Sequence, residues 1–315
     1  MKNKTLLAFC LKVALLLVIL FGIDRLVGNF FVSMKNMGLA HNPYHQWEKT
    51  ARLLEKCDEA CLVIGSSKAE HSYVTEMMSD SLGIGKIYNA GQGGCFFLYQ
   101  NCVINMLLDR RVPKKIIWDI QPECIPADSR MKEYQNVRYL SPYYDSDSWA
   151  KAFINSEDER ATIKMQCHMF RYNTKLFQYL LPIVTRKVKA DSGYKPLPND
   201  GYIYPTLKLD LSNEDNTDFN EYKINVFSET LRRCKEKGVD ITLFVSPSFV
   251  LPSTRYKNSV KKLTTVANDY GYNLLDYSDD VHFLSDSTLF KDVSHLNDKG
   301  ARMYTKLVIF DIKNK

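Results

Sequence analysis

The sequence predicts an α/β protein, a parallel sheet covered by helices on both faces, carried behind one membrane-crossing helix. Two observations lead there. Short apolar, β-rich runs alternate with amphipathic helical stretches, and continuous apolar strands separated by helices indicate a parallel sheet buried on both sides. Ahead of them, residues 5–23 (TLLAFCLKVALLLVILFGI) are apolar except for Lys12. Composition agrees with a folded chain: 315 residues, 45% hydrophobic and 25% charged, bury a sizeable core and exclude disorder. A net charge of +6, spread without a Lys/Arg block, excludes a dedicated nucleic-acid binder. Fourteen glycines and eleven prolines exclude a low-complexity or collagen-like chain.

The first element is the anchor. Nineteen residues rising about 1.5 Å each give roughly 28 Å of helix, close to the hydrocarbon thickness of a bilayer. A cleaved signal peptide needs small residues just after the apolar run, and Asp24-Arg25-Leu26-Val27-Gly28 offers no such pair. Gly38-Leu39-Ala40 lies too far downstream, so the segment reads as an uncleaved signal anchor. Lys2 and Lys4 precede it while Asp24 and Arg25 cancel behind it, which keeps the N-terminus cytoplasmic and exports the rest. Lys12 snorkels toward the cytoplasmic face. Residues 1–30 are thus the tail and anchor, 31–57 a linker and first helix, and 58–315 the main domain.

Five strands follow: Ala60 to Gly65, Lys86 to Asn89, Lys115 to Ile120, Ile241 to Ser246 and Tyr272 to Tyr277. Helical patterns lie between them at Phe96 to Leu108, Phe219 to Lys237 and Tyr256 to Tyr270, and a last helix follows His295. From about 125 to 215 the alternation breaks. That stretch ends in GYKPLPNDGYIYPT and reads as a partly helical, aromatic-rich insertion near the site, with Tyr194, Tyr202 and Tyr204 suited to stack on sugar rings. Of eight cysteines, Cys10 lies in the anchor. The seven others are an odd number, so at least one is free or pairs between chains, and none shows zinc-ligand spacing.

Three segments at strand ends hold candidate chemistry, where open α/β sheets place their sites. The first strand runs into Gly65-Ser66-Ser67-Lys68-Ala69-Glu70-His71. A serine there, opening a helix, sits where backbone N–H groups favour negative charge, although Gly-Ser-Ser also serves as an ordinary turn and N-cap. The second strand ends in Asn89-Ala90-Gly91-Gln92-Gly93-Gly94, whose glycines allow close approach to a ligand but lack dinucleotide-binding spacing. Near the C-terminus, Asp292-Val293-Ser294-His295 places an Asp three residues before a His, able to fix its tautomer so that Nε2 acts as base.

In this order the three segments resemble the SGNH (GDSL-type) hydrolase family over about residues 58–125 and 239–312. The resemblance implies a three-layer α/β/α sandwich with a five-stranded, mostly parallel flavodoxin-like sheet. It makes Ser67 the nucleophile, His295 the base and Asp292 its orienter. The Ser67 amide and Gly94 become oxyanion donors. The family's third block supplies an Asn, but the matching strand here ends Trp118-Asp119-Ile120-Gln121, leaving Gln121 as a substitute donor. His71, four residues after Ser67 on the same helix face, is a candidate substrate contact with a structural role as the favoured alternative, and Asn89 is a second candidate contact. Gly-Ser-Ser followed by a basic residue looks like the exported, membrane-anchored branches that include polysaccharide O-acetylation proteins and the teichoic-acid D-alanine transfer protein. The implied activity is a serine esterase or acyltransferase acting on O-acyl, above all O-acetyl, carbohydrate outside the membrane. No cofactor or metal is implied. The implied partners are the ester substrate, the membrane and proteins of envelope assembly. The alternative is a non-catalytic member of the same fold, a binding or scaffolding subunit of an envelope polysaccharide machine.

Overall fold

The computed structural model describes residues 2–42, 49–129, 131, 133–172, 175–186, 192–200, 208–209 and 218–314. The chain opens with α1 (Lys2–His41) and α2 (Lys49–Glu55). It continues through β1 (Cys61–Ile64), α3 (Ser67–Ser72), α4 (Thr75–Leu82), β2 (Ile87–Asn89), α5 (Phe97–Arg110) and β3 (Lys115–Asp119). Next come α6 (Ser148–Glu157), α7 (Ala161–Lys164), α8 (His168–Tyr172) and α9 (Leu176–Val184). Helix α10 (Glu221–Glu236), β4 (Asp240–Val245), α11 (Thr254–Asp269), β5 (Asn273–Asp276) and α12 (Asp298–Lys313) complete it. These elements form two compact units, residues 1–48 with 137–188 and residues 49–136 with 189–315.

The second unit is an α/β domain. Its five strands form one sheet, parallel throughout, in the order β2-β1-β3-β4-β5. The chain steps outward from β1 to β2 and then crosses back to β3, so β1 and β3 flank the point where the order reverses. Open parallel sheets bind ligands in the crevice outside the strand ends at such a point. Side chains alternate across the sheet. Val63 and Ile117 face Ala69 and Tyr73, Met78 of α4, and Tyr304 and Val308 of α12. On the other face Trp118 meets Phe227 of α10 at 5.4 Å between ring centroids, and Phe227 meets Phe97 of α5 at 5.5 Å. A two-residue parallel pair, Lys208–Leu209 with Val250–Leu251, lies apart from this sheet.

The first unit is helical and built on α1. Residues 5–23 are exposed on every side. From Asp24 onward burial falls on Asp24, Gly28, Phe31, Met34, Gly38, Leu39 and Asn42, a stripe largely at three- and four-residue spacing along one helical face. Helix α8 docks on that stripe. The Asp24 carboxylate accepts hydrogen bonds from the His168 and Met169 N–H groups at 2.9 and 2.8 Å and from Cys167 Sγ at 3.1 Å. A Cβ on Gly28 would lie 2.3 Å from His168 Nδ1, so only glycine admits this approach. Phe31 stacks on Tyr172 at 5.9 Å, and Met34 and Tyr179 complete the small core. Asn42 donates to the Arg186 carbonyl at 3.2 Å. These partners explain why residues 31–41, expected as linker, continue the helix. Residues 137–188 of the expected 125–215 insertion thus belong to the unit containing α1.

Among the described residues no cysteine is in a disulfide. Burial pushes the Cys57, Cys61 and Cys234 thiols up to about 12, which keeps them as inert thiols at neutral pH.

Candidate active site

Strand β1 delivers the nucleophile candidate. Ser66 is the N-cap of α3, its Oγ accepting from the Lys68 N–H at 3.3 Å, and Ser67 is the first helical residue. The Ser67 N–H therefore belongs to the first turn, where an α-helix provides no internal acceptor. Ser67 Oγ lies 2.8 Å from His295 Nε2.

The loop before α12 is folded around Asp292. Asp292 Oδ1 accepts from the Ser294 and His295 N–H groups at 2.8 and 3.0 Å, and His295 Nδ1 lies 2.9 Å from both carboxylate oxygens. Burial opposes ionisation of Asp292, but the Ser294 N–H and the His295 ring outweigh it and hold the carboxyl below its usual range. A carboxylate only accepts, so Nδ1 carries the ring proton and Nε2 presents a lone pair to the Ser67 hydroxyl. Asn297 locks the loop from behind. Its Oδ1 caps α12 at the Gly300 N–H (3.0 Å), and its Nδ2 donates to the Thr288 carbonyl at 2.7 Å. Ser67, His295 and Asp292 are thus brought together from opposite ends of the domain.

A second imidazole stands beside the first. The His71 and His295 rings are 5.6 Å apart, edge to face. His71 Nδ1 lies 2.7 Å from the Lys195 carbonyl, which can only accept, so this nitrogen is the donor. Burial lowers the His71 pKa, against the opposing pull of the Lys195 carbonyl and Glu70, and favours the neutral ring. His71 Nε2 then presents a lone pair, 3.8 Å from Glu70 Oε2. The other Glu70 oxygen pairs at 3.1 Å with Lys49 Nζ, which is buried and also donates to the Gly91 and Gly193 carbonyls at 2.7 and 2.8 Å.

The glycine loop after β2 is fastened by Asn89. Its Nδ2 donates to the Ala69 and Tyr73 carbonyls at 2.8 and 3.2 Å, and its Oδ1 accepts from the Gly91 N–H at 2.9 Å. Asn89 is wholly buried, so the expected substrate contact is corrected to a structural clamp. A Cβ on Gly91 would meet the Glu70 nitrogen at 2.6 Å, which explains glycine there. Gly93 borders Ser67, its Cβ position lying 3.9 Å from Ser67 Cβ and 3.6 Å from Glu70 Oε2. Gly94 has φ +72°, and its carbonyl accepts from Gln135 Nε2 at 3.1 Å.

The end of β3 differs from expectation. Gln121 is buried, accepts from Gln100 Nε2 at 2.6 Å and donates to the Asp119 carbonyl at 2.8 Å. With both ends of its carboxamide engaged inside the protein, Gln121 is a strand-end pin rather than the substitute oxyanion donor. Asp119 is also buried and receives the Ser246 N–H and hydroxyl at 3.1 and 3.0 Å. Desolvation pushes its carboxyl up to about 7, with Lys68 and Ser246 pulling the other way.

Tyr194, expected to stack on sugar, donates to Asp298 Oδ1 at 2.8 Å and packs against the core. Tyr202 and Tyr204 lie outside the described residues. Sequence reasoning missed Glu70 and Lys49. Glu70 sits three residues after Ser67 and was legible as a neighbour on the same helix face. Lys49 sits in a helix that no motif marks. Among the described residues, no group of three His, Cys, Asp or Glu side chains is placed to hold a metal ion. No protein-family model matches this chain, and no curated protein matches it.

Proposed function

We propose that this chain is an exported, membrane-anchored serine esterase or acyltransferase of the SGNH hydrolase type, acting on O-acetyl or related O-acyl esters of cell-envelope carbohydrate. One observation carries the reading: the unbroken relay from Ser67 Oγ through His295 to Asp292, with contacts of 2.8 and 2.9 Å. Ser67 Oγ attacks the ester carbonyl and its proton passes to His295 Nε2. Asp292 stabilises the imidazolium without taking the proton. The tetrahedral oxyanion is met by the N–H groups of Ser67 and of the Gly93-Gly94 turn. As the C–O bond to the leaving alcohol breaks, His295 returns the proton to that oxygen, leaving an acyl-Ser67 ester. An incoming hydroxyl then attacks this ester, giving its proton to His295, and Ser67 departs by taking it back.

His71 suits that second half. Its Nε2 and Glu70 Oε2 are both acceptors, 3.8 Å apart, a spacing too long for a direct bond. A water or sugar hydroxyl between them donates to one and is held next to His295. Hydrolysis ranks ahead of transfer because an exported enzyme works in bulk water and a simple esterase needs fewer features. Incubation of the protein with an activated acetyl ester and oligosaccharides separates the two. Acetate release unaffected by sugar identifies an esterase, whereas acetylated sugar formed at the expense of acetate identifies a transferase. Either product persisting unchanged in Ser67→Ala removes this site from the chemistry.

The second reading, a non-catalytic binding subunit, draws on Gln121. With its carboxamide engaged, the oxyanion position is left to backbone donors, and loss of one donor costs about 2.7–4 kcal/mol of barrier. The export reading rests on Lys2 and Lys4 ahead of the apolar span, a charge bias that favours a cytoplasmic N-terminus.

A further inference from the structure

The helix α1 changes character at one residue. Over residues 5–23 it is apolar except for Lys12 and exposed all round, whereas from Asp24 one stripe is buried while Leu26, Phe30 and Met37 stay exposed. A helix apolar on every side fits hydrocarbon, and one with a single buried face fits a protein partner in water. Asp24 therefore marks the edge of the bilayer, if α1 spans it. At that edge the Asp24 carboxylate is saturated by the Cys167 thiol and by the His168 and Met169 N–H groups, and Arg25 donates to the Gln166 carbonyl at 3.1 Å. The corner joining α7 to α8 is thereby fixed at the level where the apolar span ends.

That corner carries exposed apolar side chains. Ile163 is 79% exposed, and Met169 and Phe170 are also open. On the opposite face of α1, two residues beyond Asp24, Leu26 is 72% exposed. Lys164 Nζ lies 5.9 Å from the Phe170 ring centroid and pairs with the Asp158 carboxylate at 2.7 Å. We propose that the α7–α8 corner seats in the headgroup–acyl boundary of the lipid bilayer, with Ile163, Met169 and Phe170 as its apolar contacts. The inference rests on α1 spanning the membrane. Continuity with that span favours lipid over a second copy of the chain, because the corner is held at the depth where lipid is already present. Apolar groups flanked by basic ones are the composition that interfacial segments use. The seat also explains why an acidic residue is tolerated directly behind the span: its charge is met by protein donors instead of being left at the hydrocarbon edge.

Helix α9 provides an internal control. Val184 is 73% exposed, but its neighbour Thr185 meets Asn42, which lies eighteen residues beyond Asp24. At 1.5 Å per residue that is about 27 Å along α1 from the bilayer edge. The test uses the full chain in nanodiscs made with acyl-brominated or unbrominated phosphatidylcholine, with tryptophan introduced as Leu16→Trp, Ile163→Trp or Val184→Trp. Bromine quenches tryptophan on contact, and the emission added over the parent protein is the readout. Quenching of at least twofold is expected for Leu16→Trp and Ile163→Trp, and none for Val184→Trp. Phe170→Trp gives the same readout should Ile163→Trp perturb folding. Quenching at Leu16→Trp with Ile163→Trp and Phe170→Trp as bright as Val184→Trp overturns the proposal and leaves the anchor standing. In that case, blue-shifted unquenched emission would assign the corner to a protein partner. Absence of quenching at Leu16→Trp removes the anchor and the proposal together.

Discussion

The tautomers of two histidines govern what the site can do. Asp292 fixes the proton of His295 on Nδ1, and the Lys195 carbonyl fixes that of His71 on Nδ1, so both rings present Nε2. Asp292→Asn keeps the shape but offers an amide that stabilises the wrong tautomer, so esterase activity should fall by on the order of 10³–10⁴-fold in steady-state assays. His71→Ala should leave acylation of Ser67 intact while slowing deacylation, seen as a burst followed by a depressed turnover rate. His71 also sets a pH window. Its folded pKa is lowered, so between that value and about 6.5 the unfolded chain binds more protons. Stability therefore rises with pH across this window and is complete above it, and His71→Gln should flatten the rise in thermal-unfolding midpoints. Asp119 works in the opposite sense. A buried carboxyl raised to about 7 binds its proton more tightly when folded, so stability falls as pH climbs from about 4 to 7. Asp119→Asn mimics the protonated acid, with Oδ1 accepting from the Ser246 N–H and Nδ2 donating to its Oγ. It should remove that fall and stabilise the protein at pH 8.

At the scale of elements, what the sequence revealed depends on how far apart the partners are. The five strands were legible because each is a short apolar run bounded by turn residues, and the structure brings Ser67 together with the Asp292–His295 loop. The length of α1 was not legible. Its buried stripe from Asp24 to Asn42 mixes polar and apolar residues and finds its partners only in residues 166–186, more than a hundred residues later. Lys49 was missed for the same reason, since its carbonyl partners are Gly91 and Gly193. Asn89 and Gln121 were misread because a side-chain amide in a motif looks the same whether it faces substrate or clamps backbone, and burial alone decides. The α1–α8 junction yields a stability prediction. Asp24→Ala removes a carboxylate that caps the first turn of α8 and should cost about 1 kcal/mol, read as faster proteolysis between residues 137 and 188 with Ser67 reactivity unchanged.

For the whole molecule, one helix long and apolar enough to cross a membrane precedes an α/β domain whose strand ends hold the serine–histidine–aspartate relay. The anchor reading predicts that the protein stays in the membrane fraction after high-salt washing with residues 1–23 intact. A reporter fused behind Lys315 should be active only outside the cytoplasm. The central claim, however, is that Ser67 is a nucleophile, and the most direct test is covalent. The purified full-length protein is treated with a fluorophosphonate and the adduct located by peptide mass spectrometry. The account predicts stoichiometric labelling at Ser67, abolished in Ser67→Ala and strongly slowed in His295→Ala. An unlabelled Ser67 in protein whose fold is verified by circular dichroism would contradict it and leave the binding-subunit reading in its place.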